Sequence, residues 1–361
     1  MEDTNADLSP RPAEPHPAAD LSRRFSIEEV GFFEGTEKLL EVWFDIPSPE
    51  SESRGLRDIP MSFWQVLLDL AKCHVLSKCN NEKLDAYVLS ESSMFISRNR
   101  FILKTCGTTS LLSTVKPLLK TVKKFYPRSE VKDFFYSHSP FMKPDLQLHP
   151  HHSFNDESTY LDTIFPDGAA YVLGRINGKC WYLYLVESIE NPLQDPDQTL
   201  EILMTEFDSE LIGRFSKLSY ESAEDLNKST GLNDLIPGAT IDSYIFEPCG
   251  FSLNAIVKED MYFTIHVTPQ EECAYVSFET NVVGECYKSL INKVLDIFKP
   301  GSFTLTLFAN KAAKCNFSHS ADHDGALSNY TCLDKQISLF SIYNLTFLHY
   351  KHNSLYNHNN K

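Results

Sequence analysis

With 361 residues, 42% hydrophobic and 12% aromatic, the chain can fill a large core, which excludes an intrinsically disordered protein. A formal charge of −16, from 33 basic against 49 acidic residues, argues against nucleic acid, whose phosphates need a basic surface, and favours a cationic ligand. No run approaches the roughly 18 apolar residues that would span a membrane. In chain order, residues 1–28 are acidic and Pro-rich without the apolar stretch of a signal peptide, and are expected to form a flexible tail. KLLEVWF follows as a strand and SFWQVLLDLAKC as a helix. AYVL and RFILK are strands around a serine-rich loop, and LLSTVKPLLKTVKKFY is a helix. Then come strands AAYVLGRI, CWYLYLV and TLEILMTEF, helix ELIGRFSKL, and strands IDSYIF, YFTIHVT and AYVSFET. Helix YKSLINKVLDIF and strands FTLTLFAN and YNLTFLHY complete a single domain over 29–350, with a second tail at 351–361. Strand runs broken by isolated helices predict antiparallel sheets with helices on their outer faces.

Nine cysteines, an odd number with no CxxC, argue against a disulfide framework or a zinc site and suit reduced thiols in the cytoplasm. Period-two reading places Asp197, Thr199 and Glu201 on one strand face, Tyr275, Ser277 and Glu279 on another, and Glu37 and Glu41 on a third. If these faces meet inside a sandwich, their carboxylates need a cation or protons.

The stretch YVLSESSMF poses a different question, because Ser90, Glu91, Ser92 and Ser93 crowd one turn. Serine suits turns, so the stretch alone reads as a hydrogen-bonding loop. Taken with FFEGTEKLLEVWF, RFILKTCGTT, DQTLEILM, FEPCGFSLN, YFTIHVTP, YVSFETN and FKPGSF, however, it resembles the eukaryotic S-adenosylmethionine decarboxylase proenzymes over residues 31–345. That resemblance implies an α+β fold, an α/β/β/α sandwich of two antiparallel sheets. It also implies self-cleavage between Glu91 and Ser92 into a β chain (1–91) and an α chain (92–361), with Ser92 converted to a pyruvoyl cofactor. The Ser92 hydroxyl would attack the Glu91 carbonyl, and the resulting ester would eliminate to dehydroalanine and hydrolyse to the ketone. The ketone would form a Schiff base with the substrate amine and take up the electrons left by carbon dioxide. The product would be the aminopropyl donor for spermidine and spermine.

The resemblance further assigns Cys106 as proton donor, Ser252 and His266 to processing, and Glu34 and Glu37 to the active site. Phe33 and Phe246 would stack on the adenine, with Glu91 and Gln270 also at the substrate. Glu41, Asp197, Thr199, Glu201 and Glu279 would bind putrescine as an activator, with Lys104 relaying its effect; a homodimer is the implied assembly. Two positions depart from the family pattern: Gln270 stands where a ribose-binding Glu is usual, and His138 replaces an Arg expected near the second site. Gln270 is the one feature that favours an alternative, a catalytically weak regulatory paralogue that activates a partner decarboxylase. No metal ligand set is expected.

Overall fold

The computed structural model describes residues 31–47, 53–189, 195–315, 327 and 329–358; the proposed N-terminal tail lies outside them. Sheet one contains β1 (Lys38–Asp45), β2 (Val75–Asn80), β3 (Asp85–Leu89), β4 (Ser92–Ile96), β5 (Arg100–Thr105), β6 (Glu130–His138), β7 (Ala169–Gly174) and β8 (Cys180–Glu187). Sheet two contains β9 (Gln198–Thr205), β10 (Thr240–Ile245), β11 (Phe251–Lys258), β12 (Met261–Thr268), β13 (Tyr275–Thr280), β14 (Ser302–Asn310), β15 (Tyr330–Leu339) and β16 (Tyr343–His352). The spatial orders are β2-β3-β4-β5-β1-β6-β8-β7 and β10-β11-β12-β13-β9-β14-β16-β15, so each strand of sheet two repeats the place of the strand eight earlier. All pairings are antiparallel.

Helices cover the outer faces as expected. Trp64, Leu67 and Leu68 of α1 (Met61–Ala71), Leu118 and Val122 of α2 (Val115–Phe125) and Leu161 of α3 (Phe154–Asp162) pack on Leu40, Val42, Phe101 and Phe134 of sheet one. Ile212 of α4 (Ser209–Gly213), Leu226 of α5 (Ala223–Thr230) and Ile291, Val294 and Phe298 of α6 (Lys288–Phe298) pack on Leu200, Ile202 and Phe278 of sheet two. Each such fully buried Leu, Ile or Phe contributes about 1.5–3 kcal/mol. The sequence pattern misses α3 and α5 because each carries few apolar residues. Their start signals are Ser153 and Ser222, whose hydroxyls accept the N–H groups of Asp156 and Asp225. At the C-terminus β16 runs to His352 and α7 (Asn353–His358) follows, so regular structure continues into the segment expected to be a tail.

The polar strand faces are not solvated. They line the layer between the sheets, flanked by one apolar cluster around Trp43, Phe135, Tyr343 and Phe347 and another around Leu39, Phe95, Ile102 and Tyr262. Cross-strand register aligns Ser93 with Lys104 and Lys104 with Leu39 in sheet one, and Thr264, Glu279, Glu201 and Thr306 in sheet two. Among the described residues no helix is long and apolar enough to cross a membrane.

Candidate active site

The serine-rich stretch is a tight hairpin rather than a loop. Leu89 pairs with Ser92 across β3 and β4, leaving Ser90 and Glu91 as the two turn residues, and Ser92 and Ser93 lie in β4. The serines hid this strand, since its polar side chains face an enclosed layer instead of alternating with solvent. Ser92 has φ +123°, a region that a residue with a Cβ enters only under constraint. The Glu91 carbonyl oxygen accepts the Cys106 N–H at 3.0 Å and faces the Cys106 thiol at 3.5 Å. The Ser92 hydroxyl donates to Glu37 Oε1 at 2.7 Å. A constrained peptide, a polarised carbonyl and a hydroxyl held by a carboxylate thus meet at one bond.

Burial pushes Glu37 up, but Lys104 and His266, together with its hydrogen bonds, outweigh that and hold it at about 2. Lys104 Nζ lies 3.3 Å from Glu37, 3.5 Å from Glu201 and 2.7 Å from Glu279. Burial, Glu279 and Glu37 push the Glu201 carboxyl up to about 7, against the pull of Lys104.

His266 sits opposite Ser252 in the β11–β12 register, and Thr264 sits opposite Asn254. Nδ1 is 2.8 Å from the Ser252 hydroxyl; Nε2 is 2.9 Å from Thr264 and 3.0 Å from Ser93. Both of those hydroxyls donate to Asn254 Oδ1, so they accept from Nε2–H, and Nδ1 is left as the basic nitrogen on the Ser252 side. Burial holds the imidazole down at about 4, which keeps it neutral near pH 7. Ser92 itself bonds to Glu37, a partnership that no local motif announces.

A cavity of about 250 Å³ opens beside Ser92, lined by Phe33, Glu91, Cys106, Phe246, Ser252, His266 and Gln270. Burial and the Glu91 and Glu37 carboxylates raise the Cys106 thiol well above its ordinary range, so it keeps its proton. Lys38, on the other face of β1, donates to the Gly107 carbonyl at 3.1 Å and steadies the loop that carries Cys106.

Glu34 and His138 sit differently from expectation, and Gln270 lines the cavity with its amide already engaged. Glu34 does not line this cavity: its carboxylate accepts the N–H groups of Thr36, Met142 and Lys143, fastening the 139–143 segment to the start of β1. The Gln270 amide is engaged by backbone, its oxygen accepting the Phe33 N–H at 3.0 Å and its nitrogen donating to the Gly31 carbonyl. His138 lies away from the inter-sheet acids: β6 turns it to the helix-covered face, where Nε2 is 2.7 Å from the buried Glu157. Glu41, Thr199 and Asp197 do lie between the sheets, beside Arg100, which pairs with Glu41 at 2.8 Å. Asn254, Thr264 and Arg100 were legible only as same-face neighbours, two positions from Ser252 and His266 or at a strand start.

Residues 30–351 match the family model for adenosylmethionine decarboxylase. The S-adenosylmethionine decarboxylase proenzyme of Xenopus laevis is 46% identical over 88% of this chain and 94% of its own length. That of Drosophila melanogaster is 42% identical over 89% and 96%. A crystal structure of the Trypanosoma brucei AdoMetDC-delta26 monomer shares the fold, with a TM-score of 0.57 and 24% identity over 72% of this chain and 99% of that one. With the hairpin, the held carbonyl and the His266 network in place, the chain belongs to the adenosylmethionine decarboxylase family.

Proposed function

We propose that this decarboxylase cleaves itself between Glu91 and Ser92, derives its pyruvoyl group from Ser92, and releases carbon dioxide from S-adenosylmethionine for polyamine synthesis. The observation that carries the reading is the Ser92 hydroxyl on Glu37 at 2.7 Å, beside a Glu91 carbonyl held by Cys106. Glu37, ionised by its contact with Lys104, draws the hydroxyl proton as Oγ adds to the carbonyl carbon. The Cys106 N–H faces the oxygen on which negative charge develops. The C–N bond of the scissile peptide then breaks, leaving an ester and a free amine on residue 92. His266, neutral and anchored through Nε2, is the base for the Ser92 α-proton, with Ser252 aligning Nδ1.

The residues around Ser92 fit the group: the side chain is 2% exposed yet borders the cavity. When formed, the pyruvoyl carbonyl supplies an electron sink for the pair left by carbon dioxide. Phe33 and Phe246 offer faces for the adenine, and Cys106 holds a proton on Sγ within the same cavity. Gln270, the residue behind the regulatory alternative, is accounted for by its backbone contacts.

Putrescine is the proposed activator, bound among the inter-sheet carboxylates with Lys104 linking them to Glu37. A homodimer in the cytoplasm completes the reading; edge strands β7 and β15 expose Tyr171, Val172, Ile337 and Leu339. Intact-mass spectrometry of the purified chain tests the core of it. Wild type should appear as residues 1–91 and a blocked 92–361 fragment, and Ser92→Ala as one uncut chain. An uncut wild type that still releases carbon dioxide would sink the mechanism.

A further inference from the structure

Beyond Lys104, the layer between the sheets holds a second group of charges. Arg100 pairs with Glu41 at 2.8 Å, and its guanidinium lies 4.9 Å from the Trp43 ring centroid. Half-buried Asp197 accepts the Tyr343 hydroxyl at 3.1 Å. Asp133 joins them from β6, on the same sheet as Arg100 and Glu41 and across from Asp197 and Tyr343. Along β6, Phe134 and Tyr136 enter the helix-covered core, so Asp133 and Phe135 face the inner layer.

The Asp133 side chain is completely buried: Oδ1 accepts the Ser188 N–H at 3.1 Å, and Oδ2 has no hydrogen-bond partner. A buried carboxylate oxygen without a donor is costly to a fold. The neighbouring acid Glu187 is satisfied by the N–H groups of Ser341, Ile342 and Tyr343. Glu41, Asp133 and Asp197 all act on Tyr343, and the buried Arg100 acts on Glu41 and Asp197. Lys132 acts on Asp133 only from a half-buried position. Burial, reinforced by Asp197, pushes the Asp133 carboxyl up to about 7. The walls are aromatic: Phe308 stacks on Tyr343 at 4.6 Å, and Phe135 meets both edge-on at 4.9 and 5.0 Å.

We propose that Asp133 is a further ligand-binding residue of this layer, where its orphan Oδ2 and Asp197 grip one ammonium of an alkyl diammonium ion. The inference rests on the reading of the layer as a diamine site and adds a residue of β6, the strand beside the one that carries Glu41. When all three are ionised, these carboxylates outnumber the one guanidinium, a surplus that a cationic ligand would balance. Aromatic walls suit its methylene chain and attract its charged ends. A divalent metal fits less well, because no group of three metal-ligating side chains occurs among the described residues.

Calorimetric titration of 1,4-diaminobutane into processed wild type, Asp133→Asn and Asp197→Asn tests this, with melting temperatures recorded with and without the diamine. Asn keeps the acceptor for Ser188 while removing the charge. The Asp133→Asn protein should bind about tenfold more weakly, as expected on losing a charge-assisted hydrogen bond. It should melt no lower than wild type without diamine, and the diamine should raise its melting temperature less. If wild type binds and Asp197→Asn weakens binding while Asp133→Asn does not, the assignment of Asp133 falls and the diamine site stands. A wild type that binds no diamine overturns both. A clear loss of melting temperature in Asp133→Asn without diamine would mark the side chain as structural and also overturn the assignment.

Discussion

The Lys104 ammonium lies 3.3 Å from the Glu37 carboxylate, and through that contact the charges between the sheets reach the Ser92 hydroxyl. Lys104 is wholly buried, and its three carboxylate neighbours outweigh the cost of burial and raise its affinity for the proton. It therefore stays charged and keeps Glu37 ionised.

Replacing Glu37 by Gln leaves the geometry but removes the anionic acceptor. A hydrogen bond to a charged group exceeds a neutral one by about 1 kcal/mol, so self-cleavage should slow by roughly fivefold. The appearance of the two fragments on a denaturing gel measures it. An unchanged rate would remove Glu37 from the step.

The acidity of His266 sets a pH window. Its folded value, about 4, lies below the ordinary 6.5 because burial disfavours the charged ring. The neutral base therefore persists as pH falls from 8 to 5, and formation of the blocked α fragment should decline only as pH approaches 4. The same depression means that the unfolded chain takes up a proton before the folded one. Stability should thus be lost as pH drops from 6.5 toward 4. A midpoint for fragment formation near 6.5 would contradict the buried, neutral imidazole.

Gln270→Glu should raise KM for S-adenosylmethionine several-fold at similar kcat. The amide nitrogen donates to the Gly31 carbonyl, and a carboxylate there would lose that bond and repel the carbonyl, loosening Phe33 at the cavity wall. A lowered KM would instead show that position 270 acts mainly on the ribose hydroxyls. Steady-state kinetics of the two proteins separates the cases.

Glu201→Gln and Asp197→Asn should blunt the response to putrescine, because each removes a carboxylate that the dication would neutralise. The loss should appear as a higher diamine concentration for half-maximal stimulation of carbon dioxide release, since in the proposed reading the effect would reach Ser92 by coupling through Lys104. Mutant curves that overlay an activated wild type would take these two acids out of the site.

Sequence period alone determined the helices α1, α2 and α6 and eleven strands, because each buries an apolar stripe whose spacing is a local property. It did not reach β2, β6 and β11, β4, whose serines look like a turn, or the edge strand β15, where an exposed, mixed face blurs the alternation. LSESS by itself reads as a hydrogen-bonding turn, and the chemistry proposed for it and for KTCGTT came into view only through their resemblance to the family. Tertiary structure decided which charge faces which. Glu37 reaches Ser92 across 55 positions, Lys104 reaches Glu279 across 175, and Gln270 reaches Phe33 across 237. It also sent His138 to the helix-covered face of its sheet while Asp133, five residues earlier on the same strand, faced the inner layer. Electrostatic and hydrogen-bond partners are chosen through space, and only the stacking of two sheets with a common strand order makes those spaces adjacent.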